Sequence, residues 1–229
     1  MTARTSGRFA ASRARAIKLL DRLDLVTDVI ASPDYSAIIG SKIRNSSYTD
    51  LWQGFLRDGL YDVRLVDESF LQFVEAPLES FSFFDSPVEA ISFESFGTEQ
   101  IGASWDPRLD LDLAELMREE YEEYLGTLEF KRPATPVRYD YSPNQYRCAC
   151  HPAAHLHFGF SSEVRLATRR RWSPESFAMF VVRQYFPKCW DRFVRASITT
   201  RVSAALRHNL EEIGNEFWGE QHEAEVYVV

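Results

Sequence analysis

The segment between residues 137 and 157 carries the side chains best suited to acid–base chemistry. It holds Arg138 and Asp140 in the run Val-Arg-Tyr-Asp-Tyr, followed by His151 and His155 in the run His-Pro-Ala-Ala-His-Leu-His. Residues two apart on a strand project from one face, so the arginine and the aspartate share a face. Imidazole exchanges protons near neutral pH, and guanidinium stabilises the charge on a reacting phosphate. The segment therefore predicts metal-independent cleavage of a phosphodiester.

The catalytic residues expected in that reaction are His151, His155, Arg138, Asp140 and Arg165. One histidine would deprotonate the nucleophile and the second would protonate the leaving oxygen. An arginine would stabilise the transition state, and Asp140 would orient one imidazole and set its tautomer. No cofactor is expected.

A metal site is the competing interpretation of the same segment. His155 and His157 form a His-x-His pair on one face of a predicted strand, which is a common start for a zinc or iron site. Asp140, His151 and Glu163 are candidate third ligands, but none stands at a diagnostic spacing. The metal-free interpretation is therefore preferred.

Two further alternatives apply to this segment. The run Cys-Ala-Cys-His at residues 148–151 could ligate zinc, although a structural zinc site needs four ligands at a recognised spacing. A purely structural interpretation is that Arg138 and Asp140 form a salt bridge on the sheet and that His155 bonds a buried carbonyl.

A second group of residues could bind a nucleic-acid backbone. Three consecutive arginines and an aromatic plane stand just before a predicted helix N-terminus, where free backbone amides favour phosphate. The alternative is a loop that pairs with an acidic helix. The nucleic-acid-binding residues expected are Arg147, Arg169, Arg170, Arg171 and Trp172.

Charge is strongly segregated along the chain, although the 229 residues sum to −8. Residues 1–60 carry +3, residues 61–130 carry −15, residues 131–209 carry +10 and residues 210–229 carry −6. Local clusters rather than the total set the field that a phosphate meets. The basic segment, which contains the histidines, could therefore bind nucleic acid, unless the acidic segments neutralise it after folding.

Composition predicts an ordinary globular protein. The 45% hydrophobic content is ample for a core, and the longest apolar run has six residues, far below the ~20 that a membrane helix needs. An odd number of cysteines, three, favours a reducing cytoplasm over a disulfide framework. We expect a single domain over residues 1–229, in the cytoplasm, with no membrane contact.

Hydrophobic periodicity predicts an α+β fold, a twisted antiparallel sheet packed by N-terminal and C-terminal helices. Helices are expected from the N-terminus through Ile30, over 48–57 and 111–125, from Ser173-Pro174 to Pro187, and over 190–210. Strands are expected over 63–65, 70–74, 81–84, 91–96, 137–141, 146–150, 155–160 and 164–168.

These motifs resemble an uncharacterised bacterial family known as a domain of unknown function. The resemblance lies in Arg138-Tyr-Asp140-Tyr, in His151-Pro-Ala-Ala-His155-Leu and in Ser173-Pro174, and it covers about residues 47–186. It implies a bacterial cytoplasmic protein of a mobile or defence gene neighbourhood, and it implies no activity.

Two functions follow as hypotheses. The first is a nucleic-acid-processing effector of a bacterial defence or mobile-element system that cleaves phosphodiesters, with RNA favoured. The second is a non-catalytic adaptor or complex subunit whose acidic and basic faces bind a protein partner, a second copy of the chain or nucleic acid.

Overall fold

The computed structural model describes residues 7–35, 46–102, 105–107, 109, 111–129, 133–148, 150–160, 164–195, 209–224 and 227–228. Within these ranges lie seven α-helices, seven strands and two short 3-10 helices. The helices are α1 (Gly7–Asp21), α2 (Tyr48–Arg57), α3 (Phe93–Ile101), α4 (Leu111–Thr127), α5 (Pro174–Tyr185), α6 (Pro187–Arg195) and α7 (Glu220–Ala224). The strands are β1 (Val26–Val29), β2 (Val63–Leu65), β3 (Phe70–Val74), β4 (Glu79–Phe84), β5 (Val137–Tyr141), β6 (Ala154–Phe158) and β7 (Val164–Ala167). The 3-10 helices are Pro143–Gln145 and Asn215–Phe217.

The seven strands form one sheet in chain order, from β1 to β7. Antiparallel pairing joins β4 to β5, β5 to β6 and β6 to β7, as short connections between consecutive strands allow. The sheet is open, and helices precede and follow it along the chain. The predicted α+β class is therefore confirmed. No helix within the described ranges has the length and apolar character needed to cross a bilayer.

The aromatic run near residue 93 is a helix, and the strand predicted over 91–96 is wrong. Ser92 accepts a hydrogen bond from the Ser95 amide at 3.2 Å and so caps the N-terminus of α3. Phe93 and Phe96, one helical turn apart, are both buried. A capping serine and three-residue spacing outweigh the strand preference of phenylalanine.

Three other boundaries differ from the prediction. The first helix ends at Asp21, because Asp24 takes a left-handed conformation (φ 56°) and the chain then enters β1. The described part of the predicted strand 146–150, residues 146–148 and 150, forms a turn with a bridge from Arg147 to His151 rather than a strand. The last helix, predicted over 190–210, begins earlier, at Pro187, and is described to Arg195 as α6, whereas residues 196–208 lie outside the described part of the chain.

The chain divides into two compact units, of which the first comprises residues 1–26, 71–83 and 135–229. Its core lies on one face of β4 and β5, where the Phe81 ring is 5.5 Å from Tyr139, 6.1 Å from Phe9 of α1 and 6.0 Å from Phe177 of α5. The start of α5 is fixed by Ser173, which forms a reciprocal capping box with Ser176. The helices thus cover the apolar face and leave the opposite face of these strands to polar residues.

The second unit comprises residues 27–70 and 84–134. Its core includes Trp52, Phe70 and Tyr121. Inside it the Arg64 guanidinium pairs with Glu68, whose other carboxylate oxygen accepts a hydrogen bond from Tyr121 at 2.9 Å. The expectation of one domain over residues 1–229 stays a prediction.

Candidate active site

The face of β4–β7 opposite the apolar core is polar. Cross-strand register aligns Ser80 with Asp140 and Asp140 with His155. It also aligns a second row one pleat away, in which neighbouring strands contribute Ser82, Arg138, His157 and Arg165. Residues aligned in this way share a face with Cβ atoms about 5 Å apart. We call these seven residues the polar face.

Asp140 is the centre of the polar face. Its carboxylate accepts hydrogen bonds from Ser80 Oγ at 2.7 Å and from Arg138 Nε at 2.9 and 3.0 Å, and His157 Nε2 lies 3.1 Å from Oδ2. The side chain is buried. Burial opposes ionisation, but the contacts with His157, Arg138 and Ser80 outweigh it and hold the pKa of Asp140 well below its usual range. The residue is therefore an anion.

His155 is fully buried, and one of its two ring nitrogens has no partner within the described residues. Its Nδ1 lies 2.7 Å from the Pro152 carbonyl oxygen, so Nδ1 carries the proton and donates it. Nε2 is then a lone-pair nitrogen. Burial and the neighbouring His157 lower the pKa of His155 to about 4, which keeps the ring neutral at pH 7.

His151 stands beside His155 at the end of the loop that precedes β6. The two ring centroids are 4.8 Å apart. Backbone hydrogen bonds with Arg147, at 2.9 and 3.0 Å, hold the loop closed. His151 is partly exposed, yet its Nδ1 is buried and has no hydrogen-bond partner in the described part of the chain. Burial and the charge of Arg165 lower the pKa of His151.

The predicted catalytic residues therefore meet on one side of the sheet. Arg138 and Asp140 come from β5, His155 from the adjacent β6, and Arg165 from β7. The Arg138 side chain is 38% exposed and reaches outward from the buried Asp140, and Arg165 is exposed. Their catalytic roles stay predictions. Part of the structural interpretation also holds, since Arg138 and Asp140 do form a salt bridge and His155 does bond a carbonyl.

The predicted phosphate-binding arginines are engaged within the protein. Arg170 pairs with Glu212 at 3.2 Å and donates to the Leu210 carbonyl at 3.0 Å. Arg171 pairs with Glu79 and lies over the Tyr141 ring.

Arg169 donates to the Ile213 carbonyl at 2.8 Å and lies over the Trp218 ring. The arginine triplet thus holds the acidic C-terminal segment beside β7, whereas the alternative interpretation expected an acidic helix as the partner. Binding of nucleic acid by these three residues stays a prediction.

The other two predicted binding residues differ in environment. Trp172 is 8% exposed and stacks on Tyr139 at 5.5 Å, so its ring belongs to the core. Arg147 is exposed next to the His151 loop. Of the predicted binding set, Arg147 is therefore the most exposed residue.

One group of residues within the described ranges could hold a metal ion. Ligand atoms of Asp140, His155 and His157 all lie within 4.8 Å of one another. Glu163, another candidate third ligand, lies outside the described residues. Cys148 and Cys150 are exposed, and the Cys148 thiol contacts Gln221 instead.

Three members of the polar face are absent from the predicted catalytic residues: His157, Ser80 and Ser82. The sequence predicts His157 only as a metal ligand, although it contacts Asp140 directly. The sequence predicts no chemical role for Ser80 or Ser82. The alternation of serine with phenylalanine in Glu79-Ser-Phe-Ser-Phe-Phe is the signal that could have placed Ser80 on the polar side of the strand.

Comparison with known proteins adds a family but no activity. Neither the curated proteins nor the solved structures yielded a match to the chain. Residues 27–215 match the model of a family described as an uncharacterized conserved protein, DUF2290. Because this match spans most of the chain, the protein belongs to the DUF2290 family.

Proposed function

We propose that the protein is a nucleic-acid-processing enzyme that cleaves phosphodiesters on the polar face, with RNA favoured. The observation that carries the proposal is the row in which Arg138 and Arg165 flank His157 on neighbouring strands. Two guanidinium groups on either side of an imidazole form a site for a phosphate anion.

The spacing of that row suits one phosphate group. With about 5 Å between aligned residues, the two arginines stand about 10 Å apart at Cβ, within the combined reach of two extended side chains. Asp140 anchors the Arg138 guanidinium through its Nε and Nη2 atoms. This anchoring leaves the rest of the guanidinium to donate to a phosphate oxygen.

His151 is partly exposed, whereas His155 and His157 are buried. We therefore assign the acid–base role in cleavage to His151. It would take the proton of the RNA 2′-hydroxyl while that oxygen attacks phosphorus and the bond to the 5′-oxygen breaks. It would then return the proton to the 5′-oxygen. RNA is favoured because it supplies its own nucleophile, the 2′-hydroxyl, which DNA lacks.

The test is a cleavage assay on labelled single-stranded RNA and DNA. We expect RNA cleavage by the wild-type protein, and losses of at least about 100-fold in His151→Ala and His155→Ala. Arg195→Gln is the matched control, because Arg195 is an exposed arginine whose ion pair with Asp191 lies within α6. Cleavage that persists unchanged in both histidine variants would remove the polar face from consideration.

The adaptor hypothesis is supported by a different surface. The exposed side of α4 carries a set of carboxylates beside the half-buried Arg118: Asp112, Glu115, Glu119, Glu120 and Glu123. Such a surface suits a basic protein partner. Glu119→Lys together with Glu123→Lys should abolish capture of that partner and leave RNA cleavage intact, which separates the two functions.

A further inference from the structure

We propose that Asp140, His155 and His157 bind a divalent transition-metal ion, with Zn²⁺ the first candidate. The three side chains come from two adjacent strands and are at most 5% exposed. Their ligand atoms lie within 4.8 Å of one another. Two imidazoles and a carboxylate are a frequent donor set for zinc and iron. The role of the metal in phosphodiester cleavage rests on the proposed function, whereas metal binding does not.

The unpartnered Nε2 atom of His155 is the observation that points to a ligand. A buried lone pair without a hydrogen bond is unfavourable, and a metal ion would satisfy it. The opposite nitrogen, Nδ1, donates to the Pro152 carbonyl at 2.7 Å. A histidine that binds a metal with one nitrogen commonly donates the other N–H to a carbonyl or carboxylate. His155 already has this arrangement.

Hydrogen bonds from neighbouring side chains also orient the Asp140 carboxylate. Ser80 and Arg138 donate to its carboxylate, and such contacts fix the direction of a ligating carboxylate. His157 Nε2 faces the carboxylate at 3.1 Å. The metal would take the place of the hydrogen between these two groups, with Nε2 of His157 as a lone-pair ligand.

Three protein ligands leave a coordination position for water or for a phosphate oxygen, as in catalytic rather than structural zinc sites. His151 is not one of the three proposed ligands, but its ring is beside that of His155, with the two ring centroids 4.8 Å apart. Arg138 and Arg165 lie in the row that contains His157. A phosphate bound to the metal would therefore be next to the two arginines and the proposed acid–base residue.

The experiment is a Zn²⁺ titration of the full-length protein after metal has been removed with EDTA. Equilibrium dialysis with metal analysis should give about one Zn²⁺ per chain, and Co²⁺ should produce the visible absorption of a low-symmetry site. His155→Gln, His157→Gln and Asp140→Asn should each lower affinity by more than about 100-fold, and Ser80→Ala by about 10- to 100-fold. Wild-type protein that binds no stoichiometric Zn²⁺ would overturn the inference.

His222→Gln is the matched control. His222 is also buried with an unpartnered Nε2, but it stacks on Trp218 and belongs to no ligand group within the described residues. His222→Gln should retain the wild-type affinity for Zn²⁺. A loss of Zn²⁺ affinity equal to that in His155→Gln would overturn the inference. Circular dichroism of each variant shows whether it is folded, and Ser80→Ala provides a milder variant if the histidine variants are not.

The two proposals can fail separately. Stoichiometric Zn²⁺ binding without cleavage of RNA or DNA would support the metal site and reject the proposed function. Cleavage that is unchanged in EDTA, by protein that binds no Zn²⁺, would support the proposed function and reject the metal site.

Discussion

His157 and Asp140 are in direct contact, with Nε2 of the histidine 3.1 Å from Oδ2 of the aspartate. The contact joins β5 to β6 diagonally, because Asp140 is aligned with His155 and His157 with Arg138. The Asp140 carboxylate thereby contacts three side chains from three neighbouring strands: Ser80 of β4, Arg138 of β5 and His157 of β6. The polar face depends on this single negative charge.

Replacing Asp140 with Asn should destabilise the metal-free protein. The amide keeps the size of the carboxylate but removes the charge that balances Arg138 and orders His157. Because Arg138 is partly exposed, we expect a loss of about 2 kcal/mol rather than the larger loss of a fully buried pair. Urea unfolding measures it. Asp191→Asn, which removes an exposed ion pair with Arg195, should leave the unfolding midpoint unchanged, and equal effects would contradict the assignment.

The arginine triplet yields a prediction that separates structure from nucleic-acid binding. The Arg171 side chain pairs with Glu79, which is 10% exposed. The backbone amide of Arg171 donates to the Glu211 carbonyl at 2.8 Å. A double-mutant cycle of Arg171→Gln and Glu79→Gln should give a coupling free energy of about 1 kcal/mol. Additive effects on stability, together with weaker RNA binding, would instead favour the phosphate-binding role.

Local chemistry explains which parts of the fold could be predicted. Ser47 and Ser173 cap helices through their own side chains, so both helix starts could be predicted from a few residues. The aromatic run at 91–96 was mispredicted because apolar residues two and three positions apart fit a strand or a helix. Ser92, which caps α3, was the local signal that distinguishes them.

Non-local pairing explains what could not be predicted of the site. Strand alternation correctly placed Arg138 with Asp140 and His155 with His157. Their adjacency was not predictable, because the sequence predicts an intervening strand over 146–150, whereas the described residues of that range form a turn. The contact of Arg170 with Glu212 joins two residues far apart in the chain, and no local pattern encodes that return of the chain.

The capping box of α5 should contribute measurably to stability. In Ser173→Ala, the Ser176 amide loses the side-chain acceptor that now lies at 3.3 Å, and we expect a loss of about 1 kcal/mol. Thermal or urea unfolding measures it. Ser142→Ala is the control, since its hydroxyl is buried and has no hydrogen-bond partner within the described residues. A larger loss in the control would show that the cap is not the cause.

The buried ion pair of the second unit should be sensitive to loss of one charge. In Glu68→Gln, Arg64 keeps its ion pair with Glu122, and the Arg64 side chain is 2% exposed. We expect destabilisation by about 3 kcal/mol, because the remaining charge is buried with incomplete compensation. Asp58→Asn removes the exposed partner of Arg57 and serves as the control. A wild-type unfolding midpoint in Glu68→Gln would contradict the prediction.

Salt dependence should identify which arginines contact phosphate. We expect the affinity for a single-stranded RNA oligonucleotide to fall with rising KCl, and Arg165→Gln to reduce the slope of log affinity against log salt by about 1. Arg165 is the exposed member of the row on β7, so its loss removes one phosphate contact without opening the core. Fluorescence anisotropy in the His151→Ala background measures binding without cleavage. Arg195→Gln should keep the wild-type slope, because its charge is far along the chain in α6 and paired with Asp191. Equal slopes in Arg165→Gln and wild type would show that phosphate does not contact this end of the row.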